Sequence, residues 1–196
     1  MHVHHACHWA YKAVQGSRTQ SVKSIGDAGD ELWLLPHETT LLVYIGGSDS
    51  WAEWKDNVRE FVGDTGFTGA TVAASAILKS EAASFARVVL VGYSRGASIA
   101  LAVANAIPAV VSAVVTLGDP GLVTHCSTPV CSLFNEFDFV YGIAGPPVGV
   151  RHQLSHARLQ RRGWTLALVD VGIHTNYGVT LADEPGVLAI VDPHLS

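Results

Sequence analysis

A chain of 196 residues, 48% apolar and only 15% charged, can bury a core in one domain, which excludes an intrinsically disordered protein. Its formal net charge is −5, with no basic cluster beyond Arg158, Arg161 and Arg162, which argues against a nucleic-acid partner. Three cysteines, Cys7, Cys126 and Cys131, make no disulfide framework; Cys126 and Cys131 could pair around Pro129, but two reduced, buried thiols are the simpler expectation.

The opening MHVHHACHWAYK lacks the apolar core and cleavage site of a secretory signal, so a cytoplasmic location is the default expectation. His8 to Gln15 suits a short helix. Glu31 to Leu35 and Thr40 to Ile45 are apolar runs separated by Pro36, His37 and Glu38, the pattern of a hairpin. The second run ends at a permissive corner, Gly46-Gly47-Ser48. Ser50 and Glu53 then have capping-box spacing, predicting a helix from Trp51 to Val62 with Trp51, Trp54, Val58, Phe61 and Val62 on one face.

Thr71 to Phe85 reads as a helix, Arg87 to Val91 as a buried strand, Ser94 to Ile107 as a helix and Val110 to Leu117 as a strand. The charge-free stretch from Gly96 to Gly118 is long enough to span a bilayer. Asn105, Pro108 and the change from an Ala-rich to a β-branched pattern instead predict a buried helix followed by a buried strand, with no transmembrane segment. Val130 to Phe134 and Trp164 to Val171 read as strands, and Glu184 to Ile190 as a helix. No repeat or linker divides the chain. The alternation predicts a single α/β domain over 1–196, with a mostly parallel central sheet and helices on both faces.

The chemistry resides in Gly92-Tyr93-Ser94-Arg95-Gly96, between the strand RVVLV and the helix ASIALAVANAI. A serine there sits on a sharp strand-to-helix turn with its hydroxyl above the strand's carboxyl end. The flanking glycines allow strand and helix to pass closely. The Arg95 amide, at the positive end of the helix, is placed to stabilise an oxyanion.

A serine nucleophile needs a base, and the base an orienting acid, in the chain order Ser, Asp or Glu, His. Asp138 follows a strand end in VCSLFNEFDFVYG and is the preferred acid. Asp119, in LGDPG after the preceding strand, is its competitor. His174, in the loop of WTLALVDVGIHTNYG, is the preferred base over His152 and His156, which lie in a strand or hairpin, and the near-terminal His194.

In motif order along nearly the whole chain the sequence resembles the class 3 (fungal-type) lipases of the α/β-hydrolase fold. The counterparts are Gly46-Gly47-Ser48, Trp54, Gly66-Phe67, Gly92 to Ala97, Gly118-Asp119-Pro120, Asn135 to Val140, and His174 to Tyr177. The sequence departs from the family pattern at Gly46 (Arg in the family), Asp64 (His), Tyr93 (His) and Arg95 (Leu).

The resemblance implies a Ser94, Asp138, His174 triad and an oxyanion hole from the amides of Ser48 and Arg95, with the Ser48 hydroxyl assisting. It also implies acyl-ester hydrolysis through an acyl-enzyme, with no metal or organic cofactor. A lipid acyl ester is then the expected substrate, with transient contact to a lipid surface. The cutinases are similar in GYSRGA, in the LGDPG turn and in size, and rank second within the same chemistry, as does a soluble short-chain esterase. A catalytically silent member of the fold, used for binding or structure, is the alternative of another class.

Class 3 lipases carry a lid after the oxyanion corner, which makes Trp51, Trp54 and Val58 candidate lid residues. The same amphipathic spacing suits a helix packed permanently on the sheet. His2, His4, His5, Cys7 and His8 have metal-ligand chemistry, but a His-rich terminus is ordinarily solvated and no metal site is assigned to it. Arg95 is expected to form a surface ion pair, with recognition of a substrate anion as the other reading.

Overall fold

A computed structural model describes residues 21–25, 31–47, 66–135 and 138–154. Seven strands form one sheet in the order β1-β2-β3-β4-β5-β6-β7: Ser21–Ser24, Glu31–His37, Thr40–Ile45, Arg87–Tyr93, Ala113–Leu117, Val130–Asn135 and Val150–Leu154. The first three strands are antiparallel neighbours, and β3 through β7 are parallel. Helix α1, Gly66–Glu81, is followed by a short 3-10 turn over Ala82–Ser84, and helix α2, Arg95–Ala106, connects β4 to β5.

The parallel strands are β-branched and apolar because both of their faces are covered. On one face Leu41, Val43 and Ile45 of β3, Val88 and Leu90 of β4, and Val114 of β5 pack with Ala70, Ala74 and Leu78 of α1 and with Ile99, Leu101 and Val103 of α2. The opposite parity, Leu42, Tyr44, Val89, Val91, Val115, Leu117, Cys131 and Leu133, forms a second buried cluster. Full burial of one such aliphatic side chain stabilises the fold by about 1.5–3 kcal/mol.

The predicted hairpin is present, but its turn is Glu38-Thr39, and Pro36 and His37 belong to β2, paired with Leu41 and Thr40. Helix α1 starts five residues before the predicted Thr71, running through Gly66 and Gly69. Strand β5 starts at Ala113 rather than Val110. The amides of Val110 and Val111 instead donate to the Ile107 carbonyl at 2.9 and 3.3 Å, finishing the turn that leaves α2. Strand β1 was not anticipated from the sequence. His152 lies in a strand, β7, paired with β6. The predicted helices over His8 to Gln15, Trp51 to Val62 and Glu184 to Ile190, and the strand Trp164 to Val171, lie outside the described residues.

The uncharged stretch resolves as α2 followed by β5, and among the described residues no helix is long and apolar enough to cross a membrane.

Candidate active site

Because β4, β5 and β6 are parallel, they deliver their carboxyl ends to one edge of the sheet, the edge at which α/β sheets hold ligands. Tyr93 pairs with Leu117 and Leu117 with Leu133, so the three strands end nearly level. Ser94 follows β4 directly, Asp119 comes two residues after β5, and Asp138 three after β6.

Ser94 has φ 54 and ψ −123, a left-handed conformation that a residue with a side chain rarely adopts. Three glycines enforce the turn by close approach. A Cβ on Gly92 would stand 2.5 Å from the Ala97 Cα, and one on Gly96 would collide with the carbonyl oxygens of Ile45 and Gly46. A Cβ on Gly47 would come within 2.8 Å of the Ser94 Cβ, so the glycine corner after β3 abuts the serine itself. The Ser94 amide donates to the Leu117 carbonyl at 2.8 Å and its carbonyl accepts from Ala97 at 2.9 Å, fixing the turn to β5 and to the first turn of α2. Ser94 is 8% exposed, one of the buried polar residues of this edge.

Asp138 is as nearly buried, at 8% exposure. Its Oδ1 accepts from the Val140 amide at 2.9 Å, and its own amide donates to the Asn135 carbonyl at 3.1 Å. The loop is pinned further by Tyr141, whose ring stacks on Phe134 of β6 at a centroid distance of 4.0 Å. Burial pushes the Tyr141 phenol up.

Adjacent strands lie about 4.8 Å apart. The β4 and β6 ends are therefore separated by roughly 10 Å, a gap that an imidazole between a serine and a carboxylate can bridge. His152 pairs with Leu133 inside β7, three strands from β4 and about 14 Å away by the same spacing.

Asp119 is fully buried. Its Oδ1 accepts from the Gly121 amide at 3.0 Å and from the Ser98 hydroxyl at 3.4 Å, while Oδ2 is enclosed without a hydrogen-bond partner. Burial raises this carboxyl to about 6, against the smaller opposing effects of Gly121 and Ser98.

Arg95 corrects the sequence reading. It is 7% exposed, so a surface ion pair is not its environment. The turn that carries it is sunk into the sheet edge, where Ser94, Ser98 and Asp119 are also buried. Its amide stands at the start of α2, where amides lack helical acceptors. Cys126 and Cys131 are both free, but only Cys131 is buried, its thiol pushed up to about 11 by burial; Cys126 is half-buried.

The described residues thus bring Ser94, Arg95 and Asp138 to one edge, with Asp119 among them. Ser48, His174 and the candidate lid residues Trp51, Trp54 and Val58 lie outside the described residues, as do His156, His194 and the N-terminal histidine cluster. Among the described residues, no group of three or more His, Cys, Asp or Glu could hold a metal ion. The sequence reading missed the partnership of Ser98 with Asp119. No local signal pointed to it, because Ser98 and Asp119 lie 21 residues apart and meet only through the packing of α2 on β5.

No protein-family model matches the chain, and no curated protein matches it in sequence. Solved structures do resemble it. The Rhizomucor miehei triacylglyceride lipase superposes with a TM-score of 0.51 at 16% identity, covering 68% of this chain and 65% of that one. A propeptide complex of a deletion mutant of the Rhizomucor miehei lipase gives 0.52 at 14% identity, covering 78% and 65%. A thermophilic carboxylesterase cloned from a metagenomic library covers 99% of this chain and 95% of its own, at 13% identity and a TM-score of 0.49. The chain spans about two thirds of the length of the fungal lipase. Identities this low speak to architecture, and the architecture is the α/β-hydrolase fold.

Proposed function

We propose that this chain is a serine hydrolase that cleaves carboxylic esters through an acyl-enzyme, with Ser94 as nucleophile, Asp138 as acid and His174 as base. The observation that carries the reading is the elbow: a serine at φ 54, ψ −123, raised at the carboxyl end of β4 by three glycines with no room for a side chain. Asp138 supports it, at the end of the second strand along on the same edge.

In this reading His174 takes the Ser94 proton as Oγ attacks the acyl carbonyl, and Asp138 stabilises the imidazolium. The Arg95 amide, with that of Ser48, holds the oxyanion. The imidazolium then protonates the departing alcohol, and water, deprotonated by the same imidazole, releases the acid. Lipid acyl esters are the proposed substrate class, on the motif order shared with the class 3 lipases and the fold shared with the Rhizomucor miehei lipase. Residues 1–196 are proposed to act as one domain, without metal or organic cofactor. For Trp51, Trp54 and Val58 the preferred reading is permanent packing on the sheet, with a lid that opens at a lipid surface as the alternative.

The test is intact-protein mass after treatment with a fluorophosphonate. One adduct on the wild-type chain and none on Ser94→Ala is expected; no adduct, with detergent present to open a lid, overturns the reading. A panel of esters of graded chain length then separates a lipase, with rates rising at an interface, from a soluble esterase.

A further inference from the structure

Among the described residues three groups bind Asp119, and they come from three parts of the chain. Its Oδ1 accepts the Ser98 hydroxyl at 3.4 Å, and Ser98 lies one turn along α2 from the nucleophile. The same oxygen accepts the Gly121 amide at 3.0 Å, which closes the turn after β5. Its backbone carbonyl accepts the Gly142 amide at 2.9 Å, and the neighbouring Pro120 carbonyl accepts the Ala144 amide at 2.9 Å. Gly142 and Ala144 belong to the loop that begins at Asp138.

The turn 118–121 therefore stands between the nucleophile's helix and the acid's loop, holding one through a side chain and the other through its backbone. Glycines let the two loops close. Gly121 has φ 78 and Gly142 φ 72, and a Cβ on Gly121 would strike the Gly145 carbonyl. Pure packing does not account for a carboxylate here. Asp119 is fully buried and its Oδ2 is enclosed with no partner, a placement that an apolar or hydroxyl side chain would avoid.

We infer that Asp119 is a positioning residue, which sets the distance between Ser94 and Asp138 by tying α2 and the 138–144 loop to the turn after β5. The inference rests on the hydrolase reading above. Among the described residues Asp119 bonds neither Ser94 nor Asp138; it works through Ser98, Gly121 and Gly142. Alignment of a nucleophile with its base and acid is sensitive to shifts of an ångström or less, so loosening the tie costs rate more than affinity.

The experiment compares Asp119→Ala, Asp119→Asn and Ser98→Ala with wild type in the full chain, well below each variant's thermal midpoint. It reads the rate of fluorophosphonate labelling, and kcat and KM for p-nitrophenyl butyrate. Asp119→Ala is expected to lower kcat and the labelling rate by about 30–100-fold with KM changed less than about threefold. Asp119→Asn, whose amide oxygen accepts the same two hydrogen bonds, recovers to within about threefold of wild type. Ser98→Ala, which removes one tie and no charge, loses about 3–10-fold in kcat and stands as the test if Asp119→Ala does not fold.

Labelling and kcat unchanged in a folded Asp119→Ala, or in Ser98→Ala where that variant stands in, overturn the inference and leave the hydrolase intact. Asp119→Asn as inactive as Asp119→Ala also overturns it, because the charge itself would then be needed and Asp119 would be the acid. A wild-type chain that takes no adduct overturns the hydrolase reading and this inference with it.

Discussion

Two non-glycine residues among those described have positive φ, and they lie at opposite ends of strand β3. Glu38, at φ 51, turns the chain into β3; Ser94, at φ 54, sits against the Gly46-Gly47 corner by which the chain leaves it. The backbone cost is of the same kind in both, but what holds each differs. Glu38 is exposed in a two-residue turn whose geometry requires positive φ at its first position. Ser94 is buried and wedged by backbone from β3, β4 and α2. A turn imposes the strain at Glu38, where any residue tolerant of positive φ would serve. At Ser94 the surrounding fold imposes it on a residue that would relax elsewhere, a strain that the proposed nucleophile role would use.

The largest effect comes from breaking the wedge. Gly96→Ala puts a methyl group into the carbonyls of Ile45 and Gly46, which are main chain and cannot swing away. We expect a loss of about 3 kcal/mol in urea unfolding, with fluorophosphonate labelling abolished in whatever remains folded. A stability within 0.5 kcal/mol of wild type, roughly the scatter of surface substitutions, would show that the elbow is not held as described.

The sheet edge that holds Ser94 also buries a titrating carboxyl. The Asp119 carboxyl, ordinarily at 3.8, is raised to about 6 by burial. Between these values the folded chain keeps a proton there that the unfolded chain has released. Stability from this group is fully present below about pH 4, falls as pH rises toward 6 and is flat above about 7. At about 1.4 kcal/mol per pH unit the fall amounts to about 3 kcal/mol. Denaturant titrations across pH 4–8 should show that component in wild type and lose it in Asp119→Asn; an equal slope in both would place the charge elsewhere.

How much of this was legible in the sequence follows from the range of the forces involved. The elbow was readable because its determinants, a β-branched run, two glycines and an Ala-rich helix, lie within twenty residues. The interior strands were readable from apolar runs, and with them the place of Asp138 just past a strand end. The contact of Gly47 with Ser94 was not, since it depends on register between β3 and β4. Nor was the burial of Arg95, because a charged residue flanked by small ones looks solvated until the sheet edge closes around it. Strand β1 is four residues, SVKS, with one aliphatic side chain, and its pairing with β2 overrides that weak local pattern. Helix α1 runs through Gly66 and Gly69 despite a propensity cost of about 1 kcal/mol for an interior glycine, anchored further along by the buried Ala70, Ala74 and Leu78.

Ser94→Gly sharpens the comparison at its buried end. It removes the nucleophile and also the Cβ that makes φ 54, ψ −123 costly. Unfolding free energy should rise by about 1–2 kcal/mol over Ser94→Ala, while both variants take no fluorophosphonate adduct. Equal stabilities would mean that the elbow stores no strain.

Glu38→Gly applies the same relief at the exposed end and should give the smallest change. The turn keeps its geometry, the left-handed penalty of about 1 kcal/mol disappears, and the greater freedom of glycine in the unfolded chain offsets roughly half of it. A gain of about 0.5 kcal/mol is therefore expected, with ester hydrolysis and labelling within error of wild type, because Glu38 lies at the amino-terminal edge of β3 and the chemistry at the carboxyl edge. The informative reading is the pair of variants together. If Glu38→Gly altered kcat as Ser94→Gly abolishes it, the two ends of β3 would be mechanically coupled, and the elbow's strain would be a property of the strand rather than of the glycine wedge around Ser94.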